Sequence, residues 1–429
     1  MEVGLFKKTS DYLLENRRVF GLLVLISLTY FTLYLSKFWP LGVTNGWYWD
    51  SNFGDLNMAL KMTSCSFEYG FGIYKLGMPD GCGGYTYGFL MALLLDLLGV
   101  KESHSSALGV IFFISLILSI LAISKIANVV WKIPEFLLFF IFVSPGFWLA
   151  IVHGSFDIPV YLLLVIALFF ASKQNLVIPF LIVLCTVFMK LFTLPLLLLL
   201  ALKIWFQSPF KYKRYLVLVT SVIATISTAH NVSLVNFADS TYRMAQGVFH
   251  TFGIESLPIW LEITLAKLGF SSIVFSQLER KFLGLLLLIF ITYILSLRNP
   301  FRKGSMSQSW KNQGENISLS TLPGEVLIYF GVPFLALFMQ GQNYDNKLMF
   351  LSLPVLAMFY LLPESRIRAI FVTLVFITFW FTSFFPDSFP DTLFVLIQIT
   401  GDVTALMVSS LLLLGILEHR KAFMNALDA

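Results

Sequence analysis

Apolar residues fall in long runs along this chain rather than on one face of each predicted helix. A hydrocarbon core about 30 Å thick needs about 20 apolar residues in a helix. Runs of roughly that length begin near Val19, Ala107, Pro134, Pro159, Val177, Thr193, Tyr215, Phe282, Val326, Leu348, Ala369 and Thr392. The pattern predicts an all-α polytopic membrane protein with about twelve transmembrane helices, several of them short. The stretch from Phe89 to Val100 is apolar but too short to span, and it contains Asp96. It predicts an interfacial or re-entrant helix. After Asp55, the residues Leu56, Ala59, Leu60, Met62 and Thr63 recur at near-helical spacing. They predict a short amphipathic helix lying in the interface. Polar segments occupy residues 37–106, 230–277, 298–325 and the turn Gln340–Lys347. With no internal repeat, the chain reads as one integral membrane domain, 1–429.

Composition agrees with the runs. Of 429 residues, 58% are apolar and 12% charged, where a soluble domain has about 25% charged. Mean hydropathy is +0.83. A soluble enzyme, a disordered chain and a nucleic-acid binder are excluded, so no nucleic-acid partner is expected. The 45 phenylalanines suit packing between helices and against lipid.

The net charge of +5 bears on orientation before it bears on any partner. With both termini in the cytoplasm, 19 of the 29 basic residues fall on the cytoplasmic side and 10 on the other. This layout makes 37–106 and 230–277 external loops and 298–325 a cytoplasmic one. It predicts a multi-pass protein of the plasma (inner) membrane. The polar N-terminal stretch has no small-residue cleavage site, so the first span is expected to be retained. Of three cysteines, Cys65 and Cys82 share the first external loop. An oxidising exterior predicts a disulfide between them.

Four places carry candidate chemistry. Asp50 and Asp55 stand near the external end of the first span, among Trp47, Tyr48, Trp49, Tyr69, Tyr74, Tyr85 and Tyr87. Asp55 would serve equally as the cap of its helix, and the aromatics equally as an interfacial belt. His153 and Asp157 stand where one span ends and the next begins. An ionisable pair at that depth is a functional candidate, or Asp157 is an N-cap ahead of Pro159. Lys190 interrupts an apolar stretch before Pro195, either snorkelling to the interface or binding a lipid phosphate. Asn343-Tyr344-Asp345-Asn346-Lys347 forms another external junction, and Arg243 lies in the second long loop. A carboxylate base and phosphate-binding cations are what glycosyl transfer from a lipid phosphate needs.

The order of these features resembles the membrane glycosyltransferases of the GT-C fold. More narrowly, it looks like the bacterial polyprenyl-phosphate-mannose-dependent mannosyltransferases and their uncharacterised relatives. The family's first-loop aspartate maps to Asp55, and its Gly/Tyr stretch to Tyr69-Gly-Phe-Gly-Ile-Tyr74. Its Tyr-Pro-Pro-like segment maps to Tyr85-Thr-Tyr87-Gly, here without the prolines. Its Pro and Gly-Asn/Gln-x-Asp turn map to Pro145 and Gly154-Ser-Phe-Asp157. Its Lys-x-x-Pro turn maps to Lys190–Pro195, and its Asn-Tyr-Arg turn to Asn343–Lys347, with lysine displaced by two residues. The resemblance covers about residues 1–205 and 340–360.

The resemblance implies an inverting transfer of a mannose-like hexose from a polyprenyl-phosphate sugar to a glycan or glycolipid acceptor. Asp55 would be the base, with Asp50 its competitor. Lys190, Lys347, Arg243 and His153 would bind the donor phosphate. Asp157, Tyr85, Tyr87 and Tyr344 would bind substrate. No cofactor is implied, and the sequence gives no sign of a divalent cation. The runner-up readings are a transporter or flippase of a lipid-linked or anionic solute, and a polysaccharide polymerase or ligase.

Overall fold

The computed structural model describes residues 54–69, 89–129, 133–171, 176–242, 251–269, 274–298, 300–301, 317–340, 343–362, 365–381 and 391–425, with a few positions in 21–29. The chain enters as helix α1 (Gly54–Tyr69), α2 (Phe89–Leu97) and α3 (Ser105–Val129). There follow α4 (Glu135–Phe142), α5 (Pro145–His153), α6 (Asp157–Ala171), α7 (Val177–Met189), α8 (Leu194–Gln207) and α9 (Lys211–Tyr242). Strand β1 (Thr251–Phe252) precedes α10 (Ser256–Lys267), α11 (Gln277–Leu297), α12 (Ile317–Tyr329) and α13 (Gly331–Met339). Strand β2 (Asn343–Tyr344) leads through the 3₁₀ turn Asp345–Leu351 into α14 (Ser352–Leu361), α15 (Ser365–Phe381) and α16 (Asp391–Asn425).

This is a helical membrane protein. Glu102–Ile123, Gln277–Leu297 and Leu396–Glu418 are long and apolar enough to cross a membrane. The other apolar helices are shorter, Asp157–Ala171 and Val177–Met189 among them. At about 1.5 Å per residue, a helix such as α6 falls short of a core about 30 Å thick. Several apolar runs are therefore broken. The run from Pro134 divides at Ser144, whose backbone is extended (φ −62°, ψ 153°). Pro145 then opens α5 at a position where no helical N–H is needed.

The first loop holds two helices. On α1, Leu56, Ala59, Leu60 and Thr63 are all buried, so the apolar spacing read from the sequence is the packed face. Asn57 Nδ2 donates to Glu102 Oε1 at 3.1 Å and ties α1 to the start of the Glu102–Ile123 segment. Helix α2 ends at Gly99, whose φ of 64° lies in the left-handed region. The all-α expectation needs one addition. Thr251 pairs with Tyr344 and Phe252 with Asn343 in an antiparallel ladder. Two extended segments thereby satisfy each other's backbone.

The long helix α16 organises the second half. Its apolar segment is 67% buried, whereas that of α11 is 17% buried. It packs against α10, α11, α12, α13, α14 and α15, while α11 turns most of its surface outward. Hydrophobic burial gives no drive between helices in lipid, so close backbone approach and fit decide packing. At Gly284 of α11, a Cβ would collide with the Ile254 backbone carbonyl. At Gly331 it would meet the Leu412 Cδ1 at 2.8 Å, the end of a flexible side chain.

Gly284→Ala should therefore lower the thermal midpoint in detergent, through a loss of about 1–3 kcal/mol. Gly331→Ala should cost less, because Leu412 can rotate away. Equal midpoints for the two variants would count against backbone contact at Gly284.

Candidate functional site

Three interruptions of the apolar helices meet in one place. The first is the turn between α5 and α6. Ser155 N–H bonds Ala150 O at 3.0 Å and Gly154 N–H bonds Ile151 O at 3.0 Å, a Schellman pattern. Gly154 supplies the left-handed residue it requires (φ 62°, ψ 41°). Phe156 then packs edge-on against Phe112 of α3, with ring centroids 5.3 Å apart. Asp157 opens α6 and is 1% exposed. Its N–H donates to Ser155 Oγ at 3.2 Å, and the Ser155 hydroxyl donates to Asp157 Oδ2 at 2.8 Å. The carboxylate is thus fixed at a helix N-terminus, where the dipole favours negative charge.

The second interruption is Lys190, in extended conformation (φ −146°, ψ 120°) between α7 and the 3₁₀ turn Leu191–Thr193. Its N–H bonds Thr186 O at 2.7 Å. Thr193 Oγ1 donates to Lys190 O at 3.0 Å and Thr186 Oγ1 to Val183 O at 2.7 Å, with the two hydroxyl oxygens 3.1 Å apart. These bonds hold the break open and aim Lys190 at the α5–α6 turn. Lys190 Nζ lies 3.5 Å from Asp157 Oδ1, and its side chain is 15% exposed.

The third interruption is the turn Asp345–Leu351, which packs against α5, α6 and α13. Phe350 stands between Tyr161 of α6 (5.7 Å) and Phe192 (5.0 Å). Ser352 donates its hydroxyl to Met349 O at 2.6 Å. Tyr161 must therefore be the donor in its 2.6 Å bond to Ser352. Lys347 lies on this turn, three residues before Phe350. Helix α1, with Asp55 in its first turn, packs against α5 as well.

The structure thus brings together Asp157 and Lys190, with the backbone of His153 and the turn of Lys347 beside them. Tyr344 enters through its ladder to Thr251. The side chains of Asp55, His153 and Tyr344 lie outside the described residues, as do Asp50, Tyr85, Tyr87, Cys82 and Arg243. Cys65 is disulfide-bonded, while Cys185 is free and exposed on α7. Among the described residues, no group of three or more His, Cys, Asp or Glu could hold a metal ion.

Sequence reasoning missed Ser155, Thr186 and Thr193. A serine two residues before a helix-opening aspartate is a local signal for the first. It also missed a second polar zone around α10. Trp260 Nε1 donates to Asp402 Oδ2 of α16 at 2.8 Å, and Asp402 is 3% exposed. Arg280 of α11 grips Glu262 with two bonds, of 2.8 and 2.7 Å. Lys281 lies 3.5 Å from Glu255.

No protein-family model, curated protein or solved structure matches the chain.

Two outcomes follow from this geometry. Asp157→Ala should cost about 3–5 kcal/mol, because it removes the buried carboxylate paired with a largely buried lysine. Adding Lys190→Met should restore much of that loss, and thermal melting of the two single variants and the double variant measures the coupling. In natively isolated protein, a membrane-permeant maleimide should add mass at Cys185 and not at Cys65. Reduction before labelling should expose Cys65, and labelling of Cys65 without reduction would contradict the bond.

Proposed function

We propose that this protein is a membrane glycosyltransferase that moves a mannose-like hexose from a polyprenyl-phosphate donor to a glycan or glycolipid acceptor. The observation that carries the reading is the meeting of an anchored carboxylate and a partly open lysine at three helix breaks. Beside them lies the helix bearing Asp55. Such a place can receive an anionic headgroup from the membrane, while a base on α1 meets the acceptor hydroxyl.

In this reading the chain has about twelve spans, counting paired half-helices. Both termini are cytoplasmic and the site is external. Lys190, supported by Lys347, Arg243 and His153, neutralises charge on the departing phosphate. Asp55 removes the acceptor proton, with Asp50 the alternative base. The hydroxyl attacks the anomeric carbon opposite the phosphate, which inverts the centre. Asp157, Tyr85, Tyr87 and Tyr344 line the sugar and acceptor side.

Asp402 favours a second reading. A buried carboxylate within a membrane-length helix is a functional candidate in its own right, and it suits a transporter or flippase of an anionic or lipid-linked solute. A transferase consumes the polyprenyl-phosphate sugar, whereas a flippase leaves it intact. Mass spectrometry of donor and product with purified protein separates the two.

Asp55→Asn should lower turnover about 10²–10⁴-fold, the usual contribution of a positioned base. Melting temperature and donor binding should stay nearly unchanged. Asp50→Asn should be milder. Loss with Asp50→Asn alone would move the base to Asp50, and full activity in both variants would remove the transferase reading. Orientation has its own check: a cysteine placed at Ser103 should react with an impermeant maleimide added to intact cells.

A further inference from the structure

The Asp157–Lys190 pair is unequal in a way that suits exchange. The carboxylate is held from several sides. It opens α6, takes the Ser155 hydroxyl on Oδ2 at 2.8 Å, and its own N–H is bonded to the same Oγ at 3.2 Å. It is 1% exposed. Its other oxygen, Oδ1, is buried and accepts no hydrogen bond. The Lys190 ammonium lies 3.5 Å from that oxygen. A made ammonium–carboxylate hydrogen bond is about 2.7–2.9 Å long. Charge holds this pair, without a formed hydrogen bond.

Lys190 is the movable member. Its backbone is pinned by Thr186 and Thr193, but its flexible four-carbon stem carries a compact charge with three donors. Its side chain keeps 15% of its surface open, whereas that of Asp157 keeps 1%. An incoming anion therefore meets the ammonium and not the carboxylate.

We infer that Asp157 is a resident counter-ion, which holds the Lys190 ammonium until a phosphate ester takes it over. The inference rests on the reading that Lys190 binds phosphate. A phosphate offers several charged oxygens to the ammonium, whereas Asp157 offers it one oxygen at 3.5 Å. When the phosphate takes Lys190, Asp157 keeps Ser155 and the α6 N-terminus, which favours its charge. When the phosphate leaves, Asp157 recaptures the lysine. Asp157 is in this sense a positioning residue. It keeps the ammonium aimed in the empty site and opposes the anion in the filled one.

The test is binding to the full-length protein in phosphatidylcholine nanodiscs, with undecaprenyl phosphate, inorganic phosphate and undecaprenol as probes. Asp157→Asn keeps the shape and the Ser155 partner but removes the competing charge. It should bind undecaprenyl phosphate about tenfold tighter, since a like charge within about 4–6 Å is removed. Lys190→Ala and the double variant should each bind it at least about tenfold more weakly than wild type. Undecaprenol binding should not change in any variant. A parallel trend with inorganic phosphate makes the phosphate group itself the ligand. A response to undecaprenyl phosphate alone makes the ligand a lipid headgroup.

Unchanged or weaker binding in folded Asp157→Asn overturns the exchange and leaves Lys190 as a phosphate site. Wild-type binding in Lys190→Ala overturns both. Should Asp157→Asn fail to fold, Ser155→Ala removes the bond that Asp157 keeps when the lysine leaves, and should weaken undecaprenyl phosphate binding. No shift there overturns the exchange. Loss of donor consumption with this binding pattern intact counts against the transferase reading and not against the exchange.

Discussion

Hydrocarbon offers no hydrogen-bond partner, so every interruption of a helix within it must satisfy its own backbone. That constraint shapes the candidate site. Gly154 closes α5 with two carbonyl contacts made through Ser155 and itself. Lys190 is an interruption held by two threonines. The turn Asp345–Leu351 replaces a helical start with tighter 3₁₀ bonding. Each break exposes polar groups that an unbroken helix would hide. Placing three breaks together concentrates those groups, so a polar site can form in an otherwise apolar body.

Aromatic packing fixes how the breaks face one another. Tyr161 contacts Phe147, Phe330 and Phe350 edge-on, with centroids 6.3, 5.3 and 5.7 Å apart. Phe192 reaches Phe350 at 5.0 Å. Edge-to-face pairs add about 0.5–1.5 kcal/mol each beyond burial. Their geometry matters more here than their energy. A ring buried between two helices admits few positions, so the turn that carries Lys347 is registered against the turn that carries Lys190. The abundance of phenylalanine noted in the composition has this structural use in the described core.

The sequence made some of this legible and hid the rest for physical reasons. The apolar spacing Leu56, Ala59, Leu60 and Thr63 is the buried face of α1, because helical periodicity is a local property. The break at Lys190 was visible as a charge beside a proline in an apolar run. Asp157 and Lys190 were each visible alone, but their 3.5 Å approach depends on how α6 and α7 pack. Trp260 and Asp402 are 142 residues apart, and nothing local announces their bond. The division of long apolar runs into half-helices was hidden too, because hydropathy averages across a single extended residue such as Ser144. The two-residue ladder was hidden because Thr251 and Tyr344 become partners only once α13 has been placed.

That ladder joins the two polar zones. Thr251–Phe252 pairs with Asn343–Tyr344, immediately before the turn bearing Lys347. Ile254 N–H then bonds Phe338 O of α13 at 2.9 Å, and the Ile254 carbonyl seats against Gly284. Two residues further along begins α10, clamped to α11 by Arg280–Glu262 and to α16 by Trp260–Asp402. Polar contacts buried in an apolar body are strongly directional, because no competing solvent relaxes their geometry. The clamp on α10 therefore sets where β1 can lie. Through β2, β1 constrains the start of the Asp345–Leu351 turn. The acidic and aromatic residues of α10 thus contribute to the site by position, without touching Asp157 or Lys190. Their place in the fold makes the second loop a structural support for the first set of helix breaks.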